Sequence, residues 1–156
     1  MSDRKRQLQN EIAAARGEVL GLVSHLSPEQ FDQSTADAGW SVKDALAHLS
    51  SIEARLRSMW QHAIDGQAWP AHDSSVDAYN DRCVAERRSW TPEAIVAELE
   101  QSGRETERFL DRLAPEDLDR QWDHPTRGSV TIEALVGIVP RHLRAHGEEL
   151  QTALRA

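Results

Sequence analysis

Ile132, Leu135, Val139, His142, His146, Leu150 and Ala153 succeed one another at steps of three and four residues. That spacing marks one face of an α-helix, so a helix is expected from just after Thr131 almost to Ala156. Two consecutive seats on this face, His142 and His146, hold imidazole where the pattern calls for Leu or Val. Side chains at i and i+4 project from one side of a helix, and two imidazoles so placed can share a metal ion. Pro140 lies inside the same segment. It has no backbone N–H and is expected to kink the helix just before His142.

Outward from this segment the helical spacing recurs. Leu8, Ile12, Ala15, Val19, Leu22 and Leu26 form one stripe, on a helix of about 22 residues. Ser27-Pro28-Glu29 ends it and begins a short turn. A second helix is expected from Ser41, where Ser41 and Asp44 resemble a capping box and Trp40 stands at a staple position. Its stripe is Val42, Ala45, Leu49, Ile52, Leu56, Met59 and Ala63, and Gly66 and Pro70 stop it. Residues 66–90 form a long connection, with a short helix after Asp73 or Ser74 carrying Val76, Tyr79, Cys83 and Arg87. Thr91-Pro92-Glu93 starts a third helix with Ile95, Leu99, Ser102, Thr106, Phe109 and Leu113 inward. A loop through Pro115, Pro125 and Gly128 leads back to Thr131.

Residues 26–32 echo residues 113–119, each lying between two long helices, which suggests two similar helical hairpins. A connection of roughly 25 residues can run back along a helix, so the second and third helices are expected to be parallel neighbours. The fold class expected is all-α, a four-helix bundle with a long crossover containing a short helix between helices two and three.

The chain has 156 residues, a length suited to one domain spanning 1–156. Its 18 Lys and Arg against 26 Asp and Glu leave a formal charge of −8, which argues against nucleic acid as the main partner. Residues 134–139, the longest apolar run, fall far short of the ~20 a membrane span needs. The first residues lack an apolar signal core, and the one cysteine, Cys83, excludes both an internal disulfide framework and a Cys-based zinc ribbon. A soluble cytoplasmic protein is expected.

A third imidazole, His48, falls in the series Ala45, His48, Ile52 at the edge of the second helix's stripe. If helices two and four are antiparallel neighbours, its ring can meet those of His142 and His146 near one end of the bundle. Three imidazoles with a free fourth position would make an open site of the kind catalytic zinc uses. Histidines at such seats also occur as plain hydrogen-bonded core residues. No Glu follows His142, which excludes the His-Glu-x-x-His protease pattern. Asp44 is one turn before His48 and is either an imidazole's second partner or a carboxylate on a helix N-terminus. His124 and Arg127 either overhang the open position or belong to a solvated loop. The five tryptophans, Trp40, Trp60, Trp69, Trp90 and Trp122, read mainly as packing, Cys83 as a buried hydrophobe, and His25, His62 and His72 as isolated.

Gly39-Trp40-Ser41-Val42-Lys43-Asp44-Ala45-Leu46-Ala47-His48-Leu49 resembles the second-helix signature of the DinB-like superfamily, and Arg141-His142-Leu143-Arg144-Ala145-His146 resembles its fourth-helix signature. That bacterial superfamily includes thiol-dependent S-transferases and the metal-binding domain of mycothiol-dependent maleylpyruvate isomerase. The resemblance implies an up-down-down-up four-helix bundle and a divalent metal, zinc or nickel, held by three side chains at the positions of His48, His142 and His146. It implies a metal-dependent transferase joining a low-molecular-weight thiol to a small electrophile. A hydrolase, or a non-catalytic binding or stress-response protein of the same fold, is the alternative. A homodimer is compatible with it. Some thiol-dependent relatives carry a second domain, and no thiol-binding residue can be carried over.

Overall fold

Ser27, Ser41, Ser75, Thr91 and Thr131 each turn a side-chain oxygen onto a backbone N–H at a helix start. Each thereby satisfies a donor that the first turn would leave open. The computed structural model of the chain describes residues 3–37, 39–71 and 75–156. In order these form α1 (Asp3–Val23), α2 (Pro28–Phe31), α3 (Val42–Ile64), α4 (Val76–Arg87), α5 (Pro92–Arg112), a 3-10 turn (Pro115–Asp119), β1 (Gln121–His124), β2 (Gly128–Thr131), α6 (Ile132–Val136) and α7 (Ile138–Arg155). No described helix is long and apolar enough to cross a membrane.

Contacts between elements fix the directions of the long helices. Ser50 meets Glu98 at 2.6 Å and Arg57 meets Thr106 at 2.9 Å, so numbering rises together and α3 and α5 are parallel. Gln9 meets Asp111 and Arg16 meets the Leu99 carbonyl, so α1 and α5 are antiparallel. Arg4 pairs with Glu133 and Glu18 with Arg144, so α1 runs parallel to the α6–α7 segment. This is the up-down-down-up arrangement, and the crossover that parallel α3 and α5 require contains α4. The expected stripes supply the core. Val19, Leu49, Ile95, Leu99, Ile132 and Leu150 are all buried. Each such aliphatic side chain contributes roughly 1.5–3 kcal/mol by leaving water.

The two echoed segments both become single turns of helix. Gln30 Oε1 accepts from the Ser27 N–H at 2.8 Å, and Asp117 Oδ2 accepts from the Ala114 N–H at 3.0 Å. Three boundaries differ from expectation. The first helix stops at Val23, leaving Leu26 half-buried outside it. Ser75 caps α4, while Asp73 and Ser74 lie outside the described residues. The loop before the fourth helix contains an antiparallel hairpin pairing Trp122 with Val130, turned by Gly128 at φ +73°. Trp122 Nε1 donates to the Gln67 carbonyl at 2.8 Å and holds the hairpin to the end of α3.

The fourth helix is broken where Pro140 dictates. A helical residue at 140 would donate to the carbonyl at 136, and the proline ring occupies that space instead. The break falls there, α6 ending at Val136 and α7 starting at Ile138, with Arg141 Nε on the Gly137 carbonyl at 3.1 Å.

Ser102 and Thr106, two polar members of the third stripe, belong to a buried ionic network. Arg16 Nη2 lies 2.6 Å from Glu53 Oε1, and Thr106 Oγ1 donates to Glu53 Oε2 at 2.7 Å. Arg57 reaches both Ser102 and Thr106. Gly103 admits Arg16, because a Cβ there would stand 2.4 Å from Arg16 Nε. Removing one partner from a buried pair leaves a charge without compensation and costs about 3–5 kcal/mol. Glu53→Ala is therefore expected to lose that much stability in urea unfolding. Glu105→Ala, at the half-exposed end of the network, is expected to lose no more than about 1 kcal/mol.

Candidate metal centre

The cap at Ser41 sets the phase of α3. The Asp44 N–H donates to Ser41 Oγ at 3.1 Å and Asp44 Oδ2 accepts from the Ser41 N–H at 3.2 Å, so the Asp44 carboxylate serves the cap, with Arg88 3.6 Å from its other oxygen. No hydrogen bond joins it to an imidazole among the described residues. One turn on, His48 enters the α3–α7 interface and is 3% exposed. On α7, after the break at Gly137, His142 and His146 face it and are half-buried.

His48 Nε2 lies 2.9 Å from His142 Nε2, and His146 Nε2 lies 3.1 Å from that same atom. Each of the three residues offers a ligand nitrogen, and these atoms lie within 4.8 Å of one another. Nitrogens bound about 2.0–2.1 Å from one ion stand roughly 3 Å apart, so the three rings fit a common ion. Burial, followed by repulsion from His142 and His146, pushes the His48 imidazole down to about 3. Burial, followed by the charge of His146, pushes His142 down to about 4. Both are neutral near pH 7 and present lone pairs.

Hydrogen bonding among the rings alone cannot satisfy this arrangement. His146 Nδ1–H donates to Glu149 Oε2 at 3.1 Å, which turns the Nε2 lone pair of that ring inward. His142 Nε2 then faces two other ring nitrogens with one N–H at most to offer. A cation at the centre would satisfy all three. His48 Nδ1 and Asn80 Oδ1 are both buried without a hydrogen-bond partner. A ligand imidazole bound through Nε2 carries its proton at Nδ1, where an amide oxygen is a suitable acceptor.

The surroundings are asymmetric. On one side a cavity of about 210 Å³ has apolar walls from Ile52, Leu56, Met59 and Ile138. His124, Pro125, Thr126 and Arg127, at the tip of the β1–β2 hairpin, overhang it. His124 and Arg127 therefore stand over the histidines rather than in a free loop. On the other side a polar cavity of about 480 Å³ is lined by Asp37, Trp40, Asp77, Asn80 and Asp81. Trp40 is the tryptophan nearest the cluster, its ring 5.2 Å from that of His48.

The remaining candidates are elsewhere. Trp60 packs on Phe109 in the core, Trp69 packs beside His62, and Trp90 lies under Arg87. Cys83 is buried on α4, His25 is exposed, and His72 lies outside the described residues. Two residues near the cluster escaped the sequence reading. Glu149 was detectable as an acid three residues after His146 on the same helix face. Asn80 was not, because its place depends on how the crossover docks.

Comparison with known proteins agrees with this picture. A protein of Oceanobacillus iheyensis, named provisionally as a metal-dependent hydrolase, is 25% identical over 139 residues, covering 88% of this chain and 78% of that protein. The fold superposes on YfiT from Bacillus subtilis, described provisionally as a metal-dependent hydrolase with an unusual four-helix bundle topology. Here the TM-score is 0.79 and identity 17%, over 99% of this chain and 89% of that one. It also superposes on mycothiol-dependent maleylpyruvate isomerase at TM-score 0.79 and 13% identity, covering 96% of this chain but 63% of that longer one. The colibactin self-resistance protein ClbS, whose structure is a complex with dsDNA, shares the fold at 11% identity, TM-score 0.76, over 97% of this chain and 96% of that one. In this chain the three histidines are the group, among the described residues, whose ligand nitrogens could hold one divalent ion. The DinB superfamily is matched across residues 11–150, and the chain belongs to it.

Proposed function

We propose that the protein is a metal-dependent S-transferase, joining a low-molecular-weight thiol to a small electrophile, with His48, His142 and His146 as the ligands of zinc or nickel. The observation that carries this reading is the convergence of three imidazoles on one point beside a cavity with apolar walls. A divalent ion held by three imidazole nitrogens with a free position would bring a bound water to a pKa near 7 and hold a bound thiol as thiolate. The protein's part is to hold and orient. Glu149 fixes the ring of His146, and the α3–α7 interface sets the spacing of the nitrogens. The cavity beneath the hairpin holds the electrophile against the cluster with little water around it. In the transfer, the sulfur–carbon bond forms as the carbon–leaving-group bond breaks, and the thiol proton passes to water.

Hydrolysis is the second reading, favoured by the name of the Oceanobacillus relative. The same site would then activate water. A cytoplasmic location, with residues 1–156 acting as one unit, suits a thiol-using enzyme of this kind.

Purified without a nickel column, the protein is expected to hold about one divalent ion per chain by elemental analysis. His142→Ala is expected to lose that ion while keeping its helical circular dichroism. Thiol consumption with a panel of electrophiles should be abolished by chelation. Water-dependent turnover without thiol would select the hydrolase, and no turnover by metal-loaded protein would leave a binding protein.

Glu149→Ala is expected to weaken metal affinity about 10–100-fold, as measured by competition with a chromogenic chelator. The metal-free protein is expected to be pH-sensitive in a defined direction. Its His48 and His142 lie below the ordinary 6.5, at about 3 and about 4, so between these values the unfolded chain binds more protons. Their contribution to stability is complete above 6.5 and is lost as pH falls toward 4. Urea unfolding of metal-free protein at pH 7 and pH 4.5 measures this.

A further inference from the structure

The two nitrogens of the His48 ring meet different surroundings. Nε2 stands inside the cluster, 2.9 Å from His142 Nε2. Nδ1 is buried and has no hydrogen-bond partner, and Asn80 Oδ1 is buried in the same state. Gln33 Oε1 and Trp60 Nε1 also lack partners, but neither residue lines a cavity beside the cluster. His48 and Asn80 line both of those cavities, so they share the wall between them.

The crossover brings Asn80 to this place. Tyr79, its neighbour in sequence, donates its hydroxyl to the Ser51 carbonyl at 3.0 Å, which fixes α4 against α3 three residues beyond His48. Lys43 Nζ donates to the Arg88 carbonyl at 2.8 Å at the other end of the contact. The two helices therefore run antiparallel, and residue 80 comes opposite the turn of α3 that carries His48. Burial, His142 and His146 disfavour a proton on the His48 ring, while the amide of Asn80 favours one. That is the action of an acceptor directed at the ring.

An imidazole that gives Nε2 to a metal carries its proton on Nδ1. An N–H there and the free oxygen of Asn80 are complementary, and each supplies what the other lacks. His146 has such a partner already, since its Nδ1–H donates to Glu149 Oε2 at 3.1 Å. Glu149 is a carboxylate on the same helix as its histidine. Asn80 is a neutral amide on a different helix from His48.

We propose that Asn80 is the positioning residue of His48, its amide oxygen accepting the Nδ1–H of that ring and so directing Nε2 to the ion. This rests on the reading of the three histidines as metal ligands. It makes the crossover, and not the α3–α7 interface alone, part of the metal centre.

The test uses the full chain and zinc, with affinity measured by competition with a chromogenic chelator and the His48 ring proton followed by NMR of isotope-labelled, zinc-loaded protein. Asn80→Leu keeps the volume of the side chain and removes the acceptor, whereas Asn80→Asp keeps an acceptor oxygen. Asn80→Leu is expected to bind zinc about 10–100-fold more weakly, with unchanged helical circular dichroism. Its His48 Nδ1–H is expected to exchange with water roughly tenfold faster than in the unaltered protein. Asn80→Ala, which only shortens the side chain, carries the same expectations where Leu disturbs α4. Asn80→Asp is expected to stay within about threefold of the unaltered affinity, or to bind more tightly, and to keep the slowly exchanging proton. Zinc affinity unchanged in Asn80→Leu overturns this role alone. So does an equal loss in Asn80→Leu and Asn80→Asp, or a loss in Asn80→Leu with the His48 proton still exchanging slowly, which would leave Asn80 a packing residue. Unaltered protein that takes up no zinc removes the ligand reading and this role with it.

Discussion

Three imidazoles occupy seats in the α3–α7 interface that a bundle of this size would ordinarily fill with aliphatic side chains. A ring nitrogen whose lone pair faces another lone pair costs free energy, and here three Nε2 nitrogens crowd within reach of one another. Hydrogen bonds among the rings leave one lone pair facing another, and among the described residues no further donor reaches all three, whereas an ion at their centre would satisfy them together. This requirement determines what the rest of the fold must do. It must hold two helices in register to a fraction of an ångström and keep the rings neutral. It must also leave one side of the cluster open.

The register has identifiable sources. Five residues beyond His48 on α3, Glu53 is fixed to Arg16 on α1 and to Thr106 on α5. Glu53, Arg16 and Thr106 are all buried, so α3 cannot slide without separating a buried charge from its partner. At the far end of α3, the hairpin is pinned through Trp122 to the Gln67 carbonyl. The hairpin leads directly into α6, so one polypeptide segment sets both the roof of the cavity and the entry angle of α7. Pro140 contributes by breaking the fourth helix between them. His142 and His146 therefore lie on α7, on the far side of the break from α6.

How much of this the sequence disclosed follows from the range of each signal. The stripes with Val42, Leu49 and Met59 or with Ile95 and Leu99 are periodic over many turns, so helix number and inward faces were legible. The anomaly at His142 and His146 was legible for the same reason, since a broken periodic pattern marks its exception. His48 was visible as an edge position of the second stripe that could meet the pair if helices two and four were antiparallel neighbours, and the resemblance to a known family added to that reading. The hairpin was missed because strands of four residues with Trp122 as their one buried member carry almost no alternation. Pro140 announced a break, but its position three residues upstream depends on which carbonyl the ring displaces. Asp44 was readable either as a cap or as an imidazole partner, and the cap geometry uses its carboxylate. Arg55 reads as an ordinary surface arginine, because only the docking of the crossover encloses it between Trp69 and Tyr79.

The crossover links the topology to the chemistry. Two parallel neighbouring helices need a connection that returns the length of the bundle, and here that connection carries α4. Asn80, Asp77 and Asp81 come from it, and Tyr79 on it covers one face of Arg55. Antiparallel helices joined by a tight turn would bring no such wall to this side of the cluster. The charge asymmetry about the histidines is thus a product of the unusual helix order. One side, walled by α3, the hairpin and Val76 and Asn80 of α4, carries arginines and aliphatic surface, while the other, to which α4 adds Asp77 and Asp81, carries acids. An ion held by the three histidines would lie between these two unlike faces.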